Sequence, residues 1–96
     1  MNARLLYSVK ETRGGYIRQI VIWQLQKPVS GCKHLFKYRF FFGTDDGACL
    51  VRYDNERGKG DHRHIADIEQ PYSFQGVKQL LADFDQDIQQ IMEANQ

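Results

Sequence analysis

Apolar and polar residues alternate along most of this chain, and the alternation gives way to a helical repeat near the end. Residues 5–10 form a short, mostly apolar run, and Gly14-Gly15 after it predicts a hairpin turn. Residues 16–25 are rich in β-branched and aromatic side chains. Ile17, Val21, Trp23 and Leu25 share one face and Ile20 and Ile22 the other, which predicts a central strand covered on both sides. A loop follows over 27–31, marked by Pro28, Ser30 and Gly31. Residues 34–42 alternate cleanly, with Phe36, Tyr38, Phe40 and Phe42 opposite Leu35, Lys37, Arg39 and Phe41. Thr44-Asp45-Asp46-Gly47 reads as a turn and 48–54 as the next strand.

Past a turn over 55–60, residues 62–67 return as the partner of 48–54. Placing Val51, Tyr53 and Ile65 on the core face sends Arg52, Asp54, His62 and His64 to the opposite face, because strand side chains alternate with period 2. Lys37 and Arg39 join them if the preceding strand lies alongside. A one-residue slip of this hairpin would scatter the group.

The C-terminal part is helical. Val77, Leu80, Leu81, Phe84, Ile88 and Ile91 form one apolar stripe, Gly76 is the predicted N-cap, and 71–74 is an extended lead-in. Asp83, Asp85, Asp87 and Glu93 lie off the stripe and predict an acidic solvent face. The expected architecture is a single α+β domain over 1–96: an antiparallel meander of about five strands with one C-terminal helix packed on a face.

Charge changes this picture more than composition does. The net charge is only +1, yet residues 1–43 carry eight Lys or Arg against Glu11 alone, while 44–96 carry five bases against eleven acids. A basic surface open to polyanions is one consequence; interleaving and cancellation in space is the other. No apolar run approaches the roughly 20 residues that cross a membrane, and Arg4 and Lys10 bracket too few apolar residues for a signal peptide. Cys32 and Cys49 form no CxxC pair and are read as reduced, buried small residues. A cytoplasmic protein without membrane attachment is expected.

The segment 52–64, Arg-Tyr-Asp-Asn-Glu-Arg-Gly-Lys-Gly-Asp-His-Arg-His, holds two of the three histidines. Imidazole is the side chain that moves protons near neutral pH. Metal-free cleavage of a phosphodiester in RNA needs a base for the 2′-OH, an acid for the departing 5′-oxygen, and cations around the phosphorus. His62 and His64 can move the protons, with Asp54 orienting one ring. Arg52, Arg63, Lys37 and Arg39 can hold phosphate, and Phe41 or Tyr72 can stack bases. Under this reading His62, His64, Arg52 and Asp54 are the catalytic candidates, and Lys37, Arg39, Arg63 and Tyr72 bind substrate.

A metal site is a second reading, with Asp61 or Asp54 completing a His-x-His set. No fourth ligand is evident, since Cys49 shares the parity of Val51 and is placed in the core, so neither a metal nor another cofactor is expected. The plainest reading makes the same residues a solvated strand and turn, with His34 ordinary and Trp23 in the core.

The run VRYDNERGKGDHRHI, then EQPYSF and QLLADFDQDI, resembles the TumE-like toxin family of bacterial toxin–antitoxin modules. The matching positions are Arg52, Tyr53, Asp54, Asn55, His62, His64, Pro71, Tyr72 and Phe74, with Tyr38-Arg39-Phe40 a looser match in the first half. The resemblance implies a cytoplasmic toxin, encoded beside a helix-turn-helix antitoxin that neutralises it by direct binding, and acting on RNA. The alternative is a non-catalytic binding or regulatory protein whose His-rich hairpin contacts a protein or nucleic-acid partner.

Overall fold

The structure, a computed structural model, describes residues 3–94; residues 1–2 and 95–96 of the domain expected over 1–96 lie outside the described residues. Strands β1 (Ala3–Arg13), β2 (Tyr16–Leu25), β3 (Phe36–Thr44), β4 (Cys49–Glu56), β5 (Gly60–Ile65) and β6 (Ile68–Pro71) precede one helix, α1 (Val77–Ala94). All pair antiparallel in chain order, β1-β2-β3-β4-β5-β6. The chain therefore forms the expected α+β meander with a C-terminal helix, built from six strands rather than about five.

The additional strand is β6. It turns back on β5 through Ala66 and Asp67, pairing Ile65 with Ile68. Ala66 stands at φ 54°, a conformation usually left to Gly or Asn, so the turn carries no sequence mark.

The core lies on one face only. Ile20 and Ile22 of β2, Tyr38, Phe40 and Phe42 of β3, and Val51 and Tyr53 of β4 pack under Leu80 and Phe84 of the helix. Phe84 meets Phe40 edge-on at 5.1 Å between ring centroids. The expectation that β2 is central and covered on both sides is corrected. β2 is second from the edge, and Val21 and Trp23 on its other face are half-buried. The stems of long side chains on neighbouring strands can shield such residues without a second layer.

Gly76 caps the helix as expected: its φ of 107° suits glycine, and its carbonyl accepts the amide of Leu80 at 3.0 Å. The acidic flank behaves otherwise. Tyr72 donates its hydroxyl to Asp83 at 2.5 Å, Tyr53 donates to Asp87, and Arg63 reaches Asp87 at 3.3 Å. Arg18 bridges Asp85 at 2.8 Å and Glu11 at 2.9 Å. Three of the four acids read as a solvated face thus bond side chains of the sheet or of the segment just after β6, because tyrosine and arginine are long enough to reach past the apolar stripe.

Burial, reinforced by the adjoining carboxylates, pushes the Tyr53 and Tyr72 phenols above their ordinary range. In the unfolded chain they ionise near pH 10. The stability carried by the neutral phenols is therefore fully present below about pH 10 and lost above it. A melting temperature that holds steady to about pH 9 and then falls is expected. The fall should be shallower in Tyr53→Phe, Tyr72→Phe, and an identical alkaline slope in that variant would contradict the clamp.

Candidate functional site

Strand register builds the polar face. Arg39, Asp54 and His62 sit side by side across β3, β4 and β5, and Phe41, Arg52, His64 and Glu69 form the next row across β3 to β6. The structure thereby brings together Arg52, Asp54, His62 and His64, with Lys37 and Arg39 alongside. A cleft of about 420 Å³ is lined by Trp23, Lys37, Arg39, Arg52, Asp54 and Glu56. A second, of about 330 Å³, is lined by Lys59, Asp61, His62, Glu69, Gln70 and Pro71.

The hairpin that carries these residues is pinned from below. Asn55, wholly buried at the end of β4, accepts the Tyr38 amide at 3.0 Å and donates to the Phe36 carbonyl at 2.7 Å. Lys37 donates its ammonium to the Asn55 carbonyl, so it faces the cleft and braces the hairpin together. At the tip, Gly60 crosses Gly31 so closely that a Cβ on Gly60 would lie 3.0 Å from the Gly31 carbonyl oxygen.

His62 and Asp54 are almost sealed, at 5% and 9% exposure. The His62 Nδ1 donates to the Gly60 carbonyl at 3.3 Å, which leaves the lone pair of a neutral ring on Nε2. That Nε2 lies 2.6 Å from Asp54 Oδ1 and 3.3 Å from Glu69 Oε2. The contact with Asp54 is close but poorly aligned. His62 Nε2, Asp54 Oδ1 and Arg52 Nε are all buried without a well-directed hydrogen bond.

His64 differs. Arg52 Nη2 lies 2.9 Å from its Nε2, and Glu69 Oε2 lies 3.0 Å from the same atom. A guanidinium only donates, so the neutral ring accepts from Arg52; a protonated ring would instead donate to Glu69. One nitrogen cannot do both. The hydrogen bond with His64 holds the Glu69 carboxyl below its usual range.

Other candidates lie elsewhere. Arg63 and Tyr72 face the helix, bonded to Asp87 and Asp83 respectively, and are not brought to the histidines. Asp61, a possible metal ligand beside His62 in sequence, faces the helix side as well. It accepts from His34 Nε2 and from the Tyr38 hydroxyl, each at 2.7 Å. His34 is therefore not an ordinary surface residue: its Nδ1 accepts the Phe36 amide at 3.1 Å, and Phe74 stacks on it at 3.7 Å. Burial and the Asp61 carboxylate raise the nearby Cys32 thiol.

Cys49 also departs from expectation. The register slips one residue opposite Phe42 and Gly43, so Leu50 packs against the core in its place. The Cys49 thiol, raised by burial, instead feels Arg52, Asp54 and Arg39. Both cysteines are free. Residues of the polar side missed from sequence include Glu69, Trp23 and Glu56. The signal for Glu69 was its odd offset of five from His64, which sets the two opposite each other across a two-residue turn.

A family model described as Toxin TumE matches residues 3–92. The chain belongs to this toxin family, which gives it a toxin role and, with that role, an antitoxin as partner. No curated protein and no solved structure matches it. Among the described residues no helix is long and apolar enough to cross a membrane.

Replacing Asn55 by Ala leaves the buried Tyr38 amide and Phe36 carbonyl without their partner, at about 3 kcal/mol together. Denaturant unfolding of Asn55→Ala should show that loss; a change below about 1 kcal/mol would mean the hairpin is held by other contacts.

Proposed function

We propose that this toxin is a ribonuclease whose polar sheet face cleaves RNA by acid–base chemistry on His62 and His64, with no metal required for the proton transfers. The observation that carries the reading is the pair of imidazoles on one face, 6.0 Å apart between ring centroids, sharing Glu69 but differing in their second partner, Asp54 for His62 and Arg52 for His64. His62 has carboxylates at its Nε2, which suits it to hold a proton and deliver it to the leaving 5′-oxygen. His64 accepts from Arg52, which keeps its lone pair available. When a phosphate draws Arg52 away, that lone pair can take the proton of the 2′-OH.

Asp54 orients His62 and pairs loosely with Arg52, at 3.5 Å. Arg52, Arg39 and Lys37 line or border the cleft where a phosphate would sit and supply the cations that stabilise charge on phosphorus. Trp23 and Phe41, half-buried on this face, offer rings for base stacking. Arg63 and Tyr72, weighed above as substrate contacts, serve in this reading as anchors of the helix. The toxin acts in the cytoplasm, and its antitoxin is a helix-turn-helix protein that binds it directly.

Induced expression of the wild type should arrest growth, and His62→Ala, His64→Ala should not. The loss of RNA cleavage expected from removing one acid–base group is about 10²- to 10⁴-fold. Circular dichroism checks that the double variant folds, and His64→Ala alone, at a half-exposed position, guards against collapse around His62. Undiminished arrest by a folded variant would contradict the proposal.

A further inference from the structure

The atoms around Glu69 share an unusual arrangement. His62 Nε2 and His64 Nε2 converge on one carboxylate oxygen, Glu69 Oε2, at 3.3 and 3.0 Å. Hydrogen bonding assigns the proton of neutral His62 to Nδ1, where it meets the Gly60 carbonyl, and Arg52 likewise leaves His64 Nε2 as an acceptor. Lone pairs then face lone pairs. Asp54 Oδ1, 2.6 Å from His62 Nε2, adds a third acceptor, and both of these atoms are buried without a directed partner. Acceptors buried in this way call for a proton or a metal cation between them, and a metal ion can meet both imidazoles and Glu69 at once.

We infer that His62, His64 and Glu69, whose donor atoms lie together on the strand face, form a three-residue binding site for a divalent transition metal of the zinc class. Zinc binds histidine and carboxylate at about 2.0–2.2 Å, which sets neighbouring ligand atoms about 3.4 Å apart in a tetrahedron. The two contacts to Glu69 are close to that spacing. The Nδ1–H of His62 on a backbone carbonyl is the outer contact that orients a metal-binding imidazole. Glu69, with its side chain 44% exposed, borders the 330 Å³ cleft through which an ion can enter. Arg52 must leave His64, and Asp54 Oδ2 already stands 3.5 Å from its Nε.

The cluster of Cys32, His34 and Asp61 also gathers possible metal donors, a thiol, an imidazole and a carboxylate. His34 Nδ1 accepts a backbone amide, so its proton sits on Nε2 and already bonds Asp61. The metal site therefore falls on the strand face and not there.

An ion at His62 and His64 occupies the lone pairs that proton transfer uses, so a filled site is a brake on cleavage. That consequence rests on the ribonuclease reading; the site does not. Calorimetric titration of the chelator-treated full chain with zinc tests the site without RNA. One zinc per chain is expected, held at least about tenfold more weakly by Glu69→Gln and equally well by Cys32→Ser. Glu69 is exposed, so its variant keeps the fold. No binding by the wild type, or equal binding by Glu69→Gln, would overturn the inference whether or not the protein cleaves RNA. Cleavage accelerated by zinc would overturn the brake.

Discussion

The pairing of Asp54 with His62 across the β4–β5 hairpin fixes the character of both faces of the sheet. With that register, Val51 and Tyr53 enter the core, and Arg52, Asp54, His62 and His64 share the other side. Side chains alternate with period 2, so a slip of one residue would carry two histidines and a carboxylate under the helix. Burying charges there without partners is costly enough to exclude the alternative register. Asn55 and the close crossing of Gly31 over Gly60 add local bolts at the end where the hairpin is free to fray.

The helix answers to the same register. Arg63 lies on the core side because His62 and His64 do not, and there it meets Asp87 together with Tyr53. The acidic helix and the sheet are joined partly through these contacts and through Arg18, which carries a cation of the first half to Asp85 of the second. What stays on the far face is smaller and better defined: Lys37, Arg39 and Arg52 around a cleft, with carboxylates placed against the histidines. A modest net charge is compatible with phosphate binding when the cations are gathered this way.

Much of this was legible in the alternation of β3 and in the spacing of Arg52, Asp54, His62 and His64, because one polar–apolar rhythm governs each strand. The unread parts share a physical cause: they depend on contacts between elements. β6 was hidden by Ala66, which adopts a positive φ without glycine, and Glu69 was hidden with it. The bulge that exchanges Cys49 for Leu50 leaves no local mark. Asp83 and Asp87 read as solvent-facing because a helical wheel knows nothing of Tyr72 and Tyr53 across the interface. Trp23 read as core because apolar residues on both faces of β2 predicted cover on both sides, and His34 read as ordinary because Asp61 is distant in the chain.

The central claim is that two imidazoles on one sheet face move the protons of RNA cleavage. The most direct measurement is the chemistry of the ends left when the purified toxin, with chelator present, cuts a single-stranded RNA. Transfer of the 2′-OH proton to one ring and delivery of a proton to the 5′-oxygen by the other predicts 2′,3′-cyclic phosphate and 5′-hydroxyl ends. Ends bearing 3′-hydroxyl and 5′-phosphate, or RNA left intact by a folded and growth-arresting toxin, would contradict it.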